Sequence, residues 1–520
     1  ILFEATAERC ISGTPAGNTC SDSQFTKSNP EYWPDVPIDL NCTKDSTDCT
    51  NHGPSFWSRK RLTSITTQVQ VGGATKQVDR YDFTQSFPDG GDHAPTLWLD
   101  SIKRTGLDLL GGASAGTSTP SVSFDPPLQL ANRVGTIPQM PRMYHDRIQT
   151  VTTETGAQTT VAYDTPDCSS APASDPNDPT DAAAKGFAST NKLRCFPVYW
   201  TPDGQPSPML DWFYLHPVRS VTTIDPHNSY QDGTQPELLT EYSYKGNPGW
   251  HYDDNETVKS KNRTWGQFRG FPEVDITTGD PNVFHYTDGT KAYDRKTLTK
   301  TYYFLGMNGD TMPSGTRSVP ALTSQDGSVS VADDNPLAGR VFETDTYTGV
   351  SGDIDKAVVN VPRIIGPTAT RNRTGIPDLT ANMVRPARTL TRQAVSYGWR
   401  KTETDTFYNT ALGQSTTGMA VQSDDRGEVS ATGNTAKCTF TRYLDGTPAT
   451  LVVTAETIVT DQDCNSSGAS PSGNLVSDTR TSYDGHAFAY NGDGQSSPDL
   501  PSTGDATLVQ KASASSGATA

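Results

Sequence analysis

The sequence predicts an all-β protein, an extended array of antiparallel strands with few short helices. A recurring unit carries that expectation: a Thr-rich alternating run that ends at an aromatic residue and breaks into Gly, Asp or Asn. It appears as Arg340-Val-Phe-Glu-Thr-Asp-Thr-Tyr347-Thr-Gly349 and as Trp399-Arg-Lys-Thr-Glu-Thr-Asp-Thr-Phe-Tyr408-Asn409. It returns as Leu239-Thr-Glu-Tyr-Ser-Tyr244-Lys-Gly246, Thr439-Phe-Thr-Arg-Tyr443-Leu-Asp-Gly446 and Thr479-Arg-Thr-Ser-Tyr483-Asp-Gly485. Alternation puts every second side chain on one face, so each unit reads as a strand with a turn at its end. Repetition of one such unit points to an array in which neighbours bury what a single unit cannot. Composition agrees. Only 33% of the 520 residues are apolar, yet the chain carries 20 Tyr, 17 Phe and 8 Trp, which suits sheets with one dry face. Long amphipathic helices are absent from the pattern.

In chain order, residues 1–58 read as an irregular segment tied by cysteines. Residues 59–310 read as an aromatic-rich β region, and 311–520 as the strand repeats. From Leu62 the strands begin: Thr63, Ile65, Thr67, Val69 and Val71 share one face, and Gly72-Gly73 turns the chain. Tyr81, Phe83, Gln85 and Phe87 line up on the return. Flexible or polar excursions follow at 111–120, between Cys168 and Cys195 with a short helix at Asp181-Ala-Ala-Ala-Lys185, and at 320–335. The aromatic stretches at 196–200, 210–214, 250–252 and 264–271 read first as core and second as a sugar-stacking platform. Ile1-Leu-Phe-Glu reads as a strand already under way and the small residues after Lys511 as a linker, so the chain reads as a piece of a longer protein.

Net charge is −17, from 59 acidic against 42 basic residues, which argues against nucleic acid as a partner. No run approaches the roughly 18 apolar residues of a membrane-spanning helix. The eight cysteines fall as near neighbours: Cys10 and Cys20, Cys42 and Cys49, Cys168 and Cys195, Cys438 and Cys464. None forms a Cys-x-x-Cys knuckle, so local disulfides in a secreted or cell-surface protein are the expectation, with buried thiols as the alternative.

Motifs with chemistry are few, and no catalytic, cofactor-binding or metal residue is assigned. Gly112-Ala-Ser114-Ala-Gly116 matches a hydrolase nucleophile pattern but lacks the strand before and helix after that the chemistry needs. His251-Tyr-Asp253-Asp254-Asn255-Glu256 offers carboxylates, but adjacent ones read as a solvated turn. Ser351-Gly-Asp353-Ile-Asp355 and Asn491-Gly-Asp493-Gly494 space oxygen ligands as calcium sites do, without the rest of an EF-hand loop.

The Thr-x-x-x-Tyr-Asp/Asn/Gly strands, with the literal pairs Tyr163-Asp164 and Tyr483-Asp484, resemble YD-repeat proteins of the Rhs type. Pro54-Ser-Phe-Trp-Ser-Arg-Lys-Arg-Leu62, Arg194-Cys-Phe-Pro-Val-Tyr-Trp200 and Trp265-Gly-Gln-Phe-Arg-Gly-Phe-Pro-Glu-Val274 are similar to the region ahead of the repeats in large secreted actinobacterial members. The resemblance implies a curved or spiralling sheet forming a hollow shell. In polymorphic-toxin members the shell encloses a toxic domain released by self-cleavage. Arg442-Tyr443-Leu-Asp445-Gly446 only faintly matches the cleavage core, so cleavage is carried over to no residue. The expectation is a non-catalytic scaffold whose partners are the rest of a longer Rhs-like chain or an encapsulated cargo domain. A cell-surface adhesion or glycan-binding module is the alternative, and an extracellular hydrolase comes third.

The faces of the repeats carry one further expectation. Phe342, Thr344, Thr346 and Thr348 alternate with Val341, Glu343, Asp345 and Tyr347, and Thr402, Thr404 and Thr406 with Glu403, Asp405 and Phe407. Neither set is apolar, which predicts a single layer wetted on both sides rather than a sandwich.

Overall fold

The computed structural model describes residues 2–42, 47, 56–92, 94–107, 116–135, 140–169, 171, 182–202, 204–226, 237–429, 436–448, 450–464, 471, 473–493 and 499–512. About 50% of the chain is strand and 4% helix. Among the described residues the largest sheet is antiparallel and has 21 strands. The single α-helix among the described residues is Ala182–Ser189, on the run whose alanines predicted it. The chain divides into two compact units, residues 1–243 with 250–268 and 276–296, and residues 244–249 with 269–275 and 297–520.

In the first unit Leu2–Glu8 pairs with Lys60–Val71, which turns at Gly72-Gly73 into Ala74–Ser86. Both glycines have positive φ, 58° and 81°, as the tight hairpin requires. The ladder continues through Trp98–Gly106, Val122–Phe124, Thr150–Thr152, Gln158–Tyr163 and Val218–Ile224, each antiparallel to the one before. Between the first two strands lie short 3-10 turns over a small core of Cys10, Trp33 and Val36. A second core gathers Trp212, Trp250 and Trp265 around Cys168, Ala188 and Cys195. The aromatic middle section is therefore mainly interior here.

The second unit is a meander. Thr297–Tyr303, Val341–Tyr347, Ile354–Arg371, Leu379–Val395 and Gly398–Tyr408 pair in sequence order. Ala420–Glu428, Lys437–Asp445, Val452–Thr460, Leu475–Tyr483 and Ala506–Ala512 continue it without a crossover. The strand-ending aromatic residues mark a repeated bulge. Tyr408 stands opposite Ala420 while Phe407 stands opposite Gln422, leaving Val421 extra. Ala455 is extra in the same way beside Tyr443, and Thr507 beside Tyr483. Tyr163, Tyr303 and Tyr347 sit at the same kind of shift. Each bulge adds local right-handed twist to the strand that carries it.

The faces differ from the sequence expectation in two respects. First, water does not wet both sides: Glu343, Asp345, Asp405, Asp424 and Glu456 are all buried, whereas Thr404 is exposed and Thr344 half-buried. The acid-bearing face is the dry one, because arginines from neighbouring strands lie across it. Second, Phe342 does not keep to the threonine side. It is the extra residue of a bulge, between Glu343 opposite Tyr302 and Val341 opposite Tyr303. It packs with Phe304, Leu337 and Val359. The polar excursion at 320–335 also contributes to this cluster, through Leu322, Val329 and Val331.

Two of the expected disulfides are formed, Cys10–Cys20 and Cys438–Cys464, with Cα atoms 6.0 Å and 4.8 Å apart. Cys42 is also disulfide-bonded. Cys49 lies outside the described residues. Cys168 and Cys195 depart from the expected bridge: both are buried thiols. They lie in the same tryptophan core, and the neighbouring Cys168 thiol together with burial pushes the Cys195 thiol far up.

Candidate functional site

The most regular arrangement of side chains is a staircase of tyrosine hydroxyls in the second unit. Tyr408 donates to the Pro386 carbonyl at 2.6 Å, Tyr443 to Ala420 at 2.7 Å and Tyr483 to Thr454 at 2.7 Å. In each case the acceptor is on the preceding strand. Ala420 is the residue opposite Tyr408, and Thr454 is the residue opposite Tyr443, so consecutive steps interlock. Tyr163 donates likewise to Ile148 at 2.8 Å in the first unit. Partial burial raises the phenols of Tyr163, Tyr408, Tyr443 and Tyr483, so they remain donors across the ordinary pH range.

The acid of the Tyr-Asp pair has its own task. Asp484 has φ 52° and Gly485 φ 79°, and His486 N donates to Tyr483 O at 2.9 Å, closing a tight turn. The Asp484 carboxylate accepts from Ser502 N at 2.6 Å, Thr503 N at 2.9 Å and Asp505 N at 2.9 Å. With the Thr503 hydroxyl, these bonds hold its pKa well below the usual carboxylate range.

Arginine and carboxylate groups cross the buried face. Arg388 lies 2.7 Å from Asp405 and 3.2 Å from Glu403. Arg426 reaches Glu403 and Asp405 at 2.9 Å and Asp424 at 3.2 Å. Glu456, with 0% of its side chain exposed, is held between Arg442 at 2.5 Å and Arg480 at 2.6 Å. The two arginines also lie over the rings of Tyr490 and Phe488. Burying these acids is tolerable because each faces a guanidinium fork.

At the start of the meander the compensation is incomplete. Asp345 is fully buried and neither carboxylate oxygen meets a donor. Glu343 accepts only the Gln325 amide, at 2.8 Å, and Arg392 stays 3.7 Å away. Lys300 and Tyr302 stand opposite the two acids. Burial, followed by the adjacent Asp345, pushes Glu343 up to about 7 against the pull of Gln325 and Arg392. Burial raises the Asp345 carboxyl as well, so both acids favour the neutral form more than an exposed carboxyl does. Neither alternation nor composition had marked this pair. A signal did exist, since the tetrapeptide Glu-Thr-Asp-Thr occurs at both 343–346 and 403–406.

The first unit holds a fully buried ion pair, Arg133 with Asp211, and Arg133 also donates to the Met140 and Pro141 carbonyls at 2.8 Å. A groove of about 270 Å³ opens nearby in sequence, among Tyr199, Asp253, Asn262, Thr264 and Gln267. The Thr264 hydroxyl is buried there without a hydrogen-bond partner.

Ser114 lies outside the described residues. Asp253 accepts Asn255 N at 2.9 Å and Asn255 accepts Thr257 N at 3.0 Å, so that acidic cluster is built as a turn. Of the calcium-like motifs, Asn491 accepts Asp445 N at 3.0 Å and Asp493 accepts Tyr490 N at 3.2 Å. Asp353 offers its backbone carbonyl to Thr348 N at 3.0 Å. Among the described residues no three His, Cys, Asp or Glu side chains are grouped to hold a metal ion. No known protein family matches the chain, and no curated protein matches its sequence.

Proposed function

We propose that this chain is a non-catalytic β-scaffold of the Rhs/YD-repeat type, part of a larger secreted protein in which it houses or displays another domain. The tyrosine staircase carries this reading. The residue that the sequence repeats most regularly uses its hydroxyl to fasten one strand to the next, and its bulge adds twist at every step. A protein organised around a chemical step would place its distinctive residues in a cleft. Here they are distributed along a meander. The disulfides fit an oxidising compartment, and no helix among the described residues is long and apolar enough to cross a membrane.

The test is protease protection in the whole polypeptide encoded by the gene. A domain housed by the scaffold survives limited proteolysis while the sheet is intact and is digested once the sheet is unfolded. Digestion of every flanking domain at its isolated rate overturns the reading.

A second reading, carbohydrate binding, has one favourable observation: the groove around Thr264 presents an unpartnered buried hydroxyl beside Tyr199, Asp253 and Asn262. Against it, Trp212, Trp250 and Trp265 are interior and offer no open stacking face. A glycan array separates the two readings, since the scaffold binds no glycan at this groove.

A further inference from the structure

The groove beside residues 253–264, within the first unit, holds polar groups that the fold itself does not use. The loop is closed where its ends meet, Asp253 N donating to the Thr264 carbonyl at 2.9 Å. Inside it, Val258 N donates to Asn255 O at 3.2 Å and Asn262 N to Lys259 O at 2.8 Å, while Arg263 Nε donates to Val258 O at 3.0 Å. A loop bonded to itself in this way holds its side chains in place before a ligand arrives. Gly266 lets the chain approach Pro197, since a Cβ there would stand 2.5 Å from the Pro197 carbonyl oxygen. Three side chains lining the groove are left with unmet capacity. Thr264 is 4% exposed and its hydroxyl has no hydrogen-bond partner. The half-buried Asn262 side-chain amide makes no hydrogen bond among the described residues. Asp253 accepts Asn255 N at 2.9 Å through one oxygen, and no cation among the described residues pairs with it. Asp253 is also the one charged residue in the lining, against apolar walls of Pro197, Val198 and Val258. Buried polar groups are ordinarily bonded, and a few unmatched ones between apolar walls are what a small-ligand site presents.

We propose that this groove binds a small primary ammonium ligand bearing a hydroxyl, with the ammonium on Asp253 and the hydroxyl at Asn262 and Thr264. A carboxylate with no cation in the lining selects positive charge, and its bond to an ammonium is of the stronger, charge-assisted kind. A neutral polyol leaves that charge unmet, and an anion is repelled by it. Asp253 and Thr264 are joined by a backbone hydrogen bond, so the two ligand groups stand only a few carbons apart. The site is independent of whether the sheet houses another domain, so each can fail alone.

The probe is 3-amino-1-propanol, with 1,3-propanediol as its uncharged comparison, each titrated against the chain by ligand-observed NMR. The expected result is binding of the amine and about tenfold weaker binding of the diol, the effect of one hydrogen bond to a charged group. Asp253→Asn keeps an oxygen for Asn255 N and removes the preference for the amine. Thr264→Val removes a hydroxyl that has no protein partner, so the denaturation midpoint stays in place while the amine binds about fivefold more weakly. Hydrogen exchange within 253–264 slows when the amine binds. Equal affinity for amine and diol, a preference that survives Asp253→Asn, or no binding of either at millimolar concentration overturns the proposal. So does Thr264→Val that binds the amine as the unmodified chain does, because the hydroxyl is then no part of the site.

Discussion

Tyr443 donates its hydroxyl to the carbonyl of Ala420 at 2.7 Å, and Ala420 is the residue that faces Tyr408 across the next pair of strands. One side chain thus fixes its own strand to the preceding one at the place where the preceding tyrosine made a bulge. Tyr443→Phe removes the bond and little else. The expected loss is about 1 kcal/mol, within the usual range for a hydrogen bond that is removed without a large change in shape. Urea denaturation checks it, with Tyr397→Phe as the control, since Tyr397 is 77% exposed and its loss leaves the midpoint unchanged.

The arginines across the dry face predict a larger effect. Glu456→Gln leaves Arg442 and Arg480 without the carboxylate they share at 2.5 Å and 2.6 Å. The carboxylate is buried while both arginines keep a third or more of their side chains exposed, so the expected loss is about 1.5–3 kcal/mol, the range for hydrogen bonds to a charged group. The matching surface change, Asp82→Asn, breaks the exposed pair with Arg80 and leaves the denaturation midpoint in place. Equal effects of the two substitutions would show that the face is not dry.

Stability depends on pH through Glu343. Its carboxyl is held at about 7 in the folded chain against an ordinary 4.5, first because it is buried and further because of Asp345. The folded state therefore binds the proton more tightly than the unfolded state. The contribution is fully present below about pH 4.5 and is lost as pH rises through about 7. Between pH 5 and pH 8 the chain loses stability more steeply than Glu343→Gln, which cannot titrate. Identical slopes for the two proteins contradict the burial of this acid.

Cys168 and Cys195 share the tryptophan core as buried thiols. Oxidised glutathione is expected to convert them to a bridge, two thiols giving one disulfide while the oxidant becomes two reduced glutathione molecules. Peptide mapping without reductant then finds Cys168 linked to Cys195. A stable glutathione adduct on either cysteine, or a link to another cysteine, contradicts their adjacency.

The repeat strands and the turns at Gly72-Gly73 and Tyr483-Asp-Gly485 were legible because alternation and turn residues are local properties. The tyrosines were legible as strand ends, but their hydroxyl bonds were not, since the acceptors lie on other strands. The dry acid face was misread for the same reason. Glu403 and Asp405 look like solvent-facing residues until Arg388 and Arg426, from the strands on either side, are placed against them. Phe342 was put on the wrong side because a bulge shifts alternation by one residue, and the run Val-Phe-Glu has no glycine to announce it.

The central claim is that interlocked tyrosines make consecutive strands of the second unit into one cooperative body. Native-state hydrogen exchange of Tyr443→Phe tests it most directly. The prediction is faster exchange along Ala420–Glu428, Lys437–Asp445 and Val452–Thr460 together, with Lys60–Val71 and Ala74–Ser86 unchanged. Faster exchange confined to the few amides around residue 443, with the adjoining strands as protected as before, would contradict it.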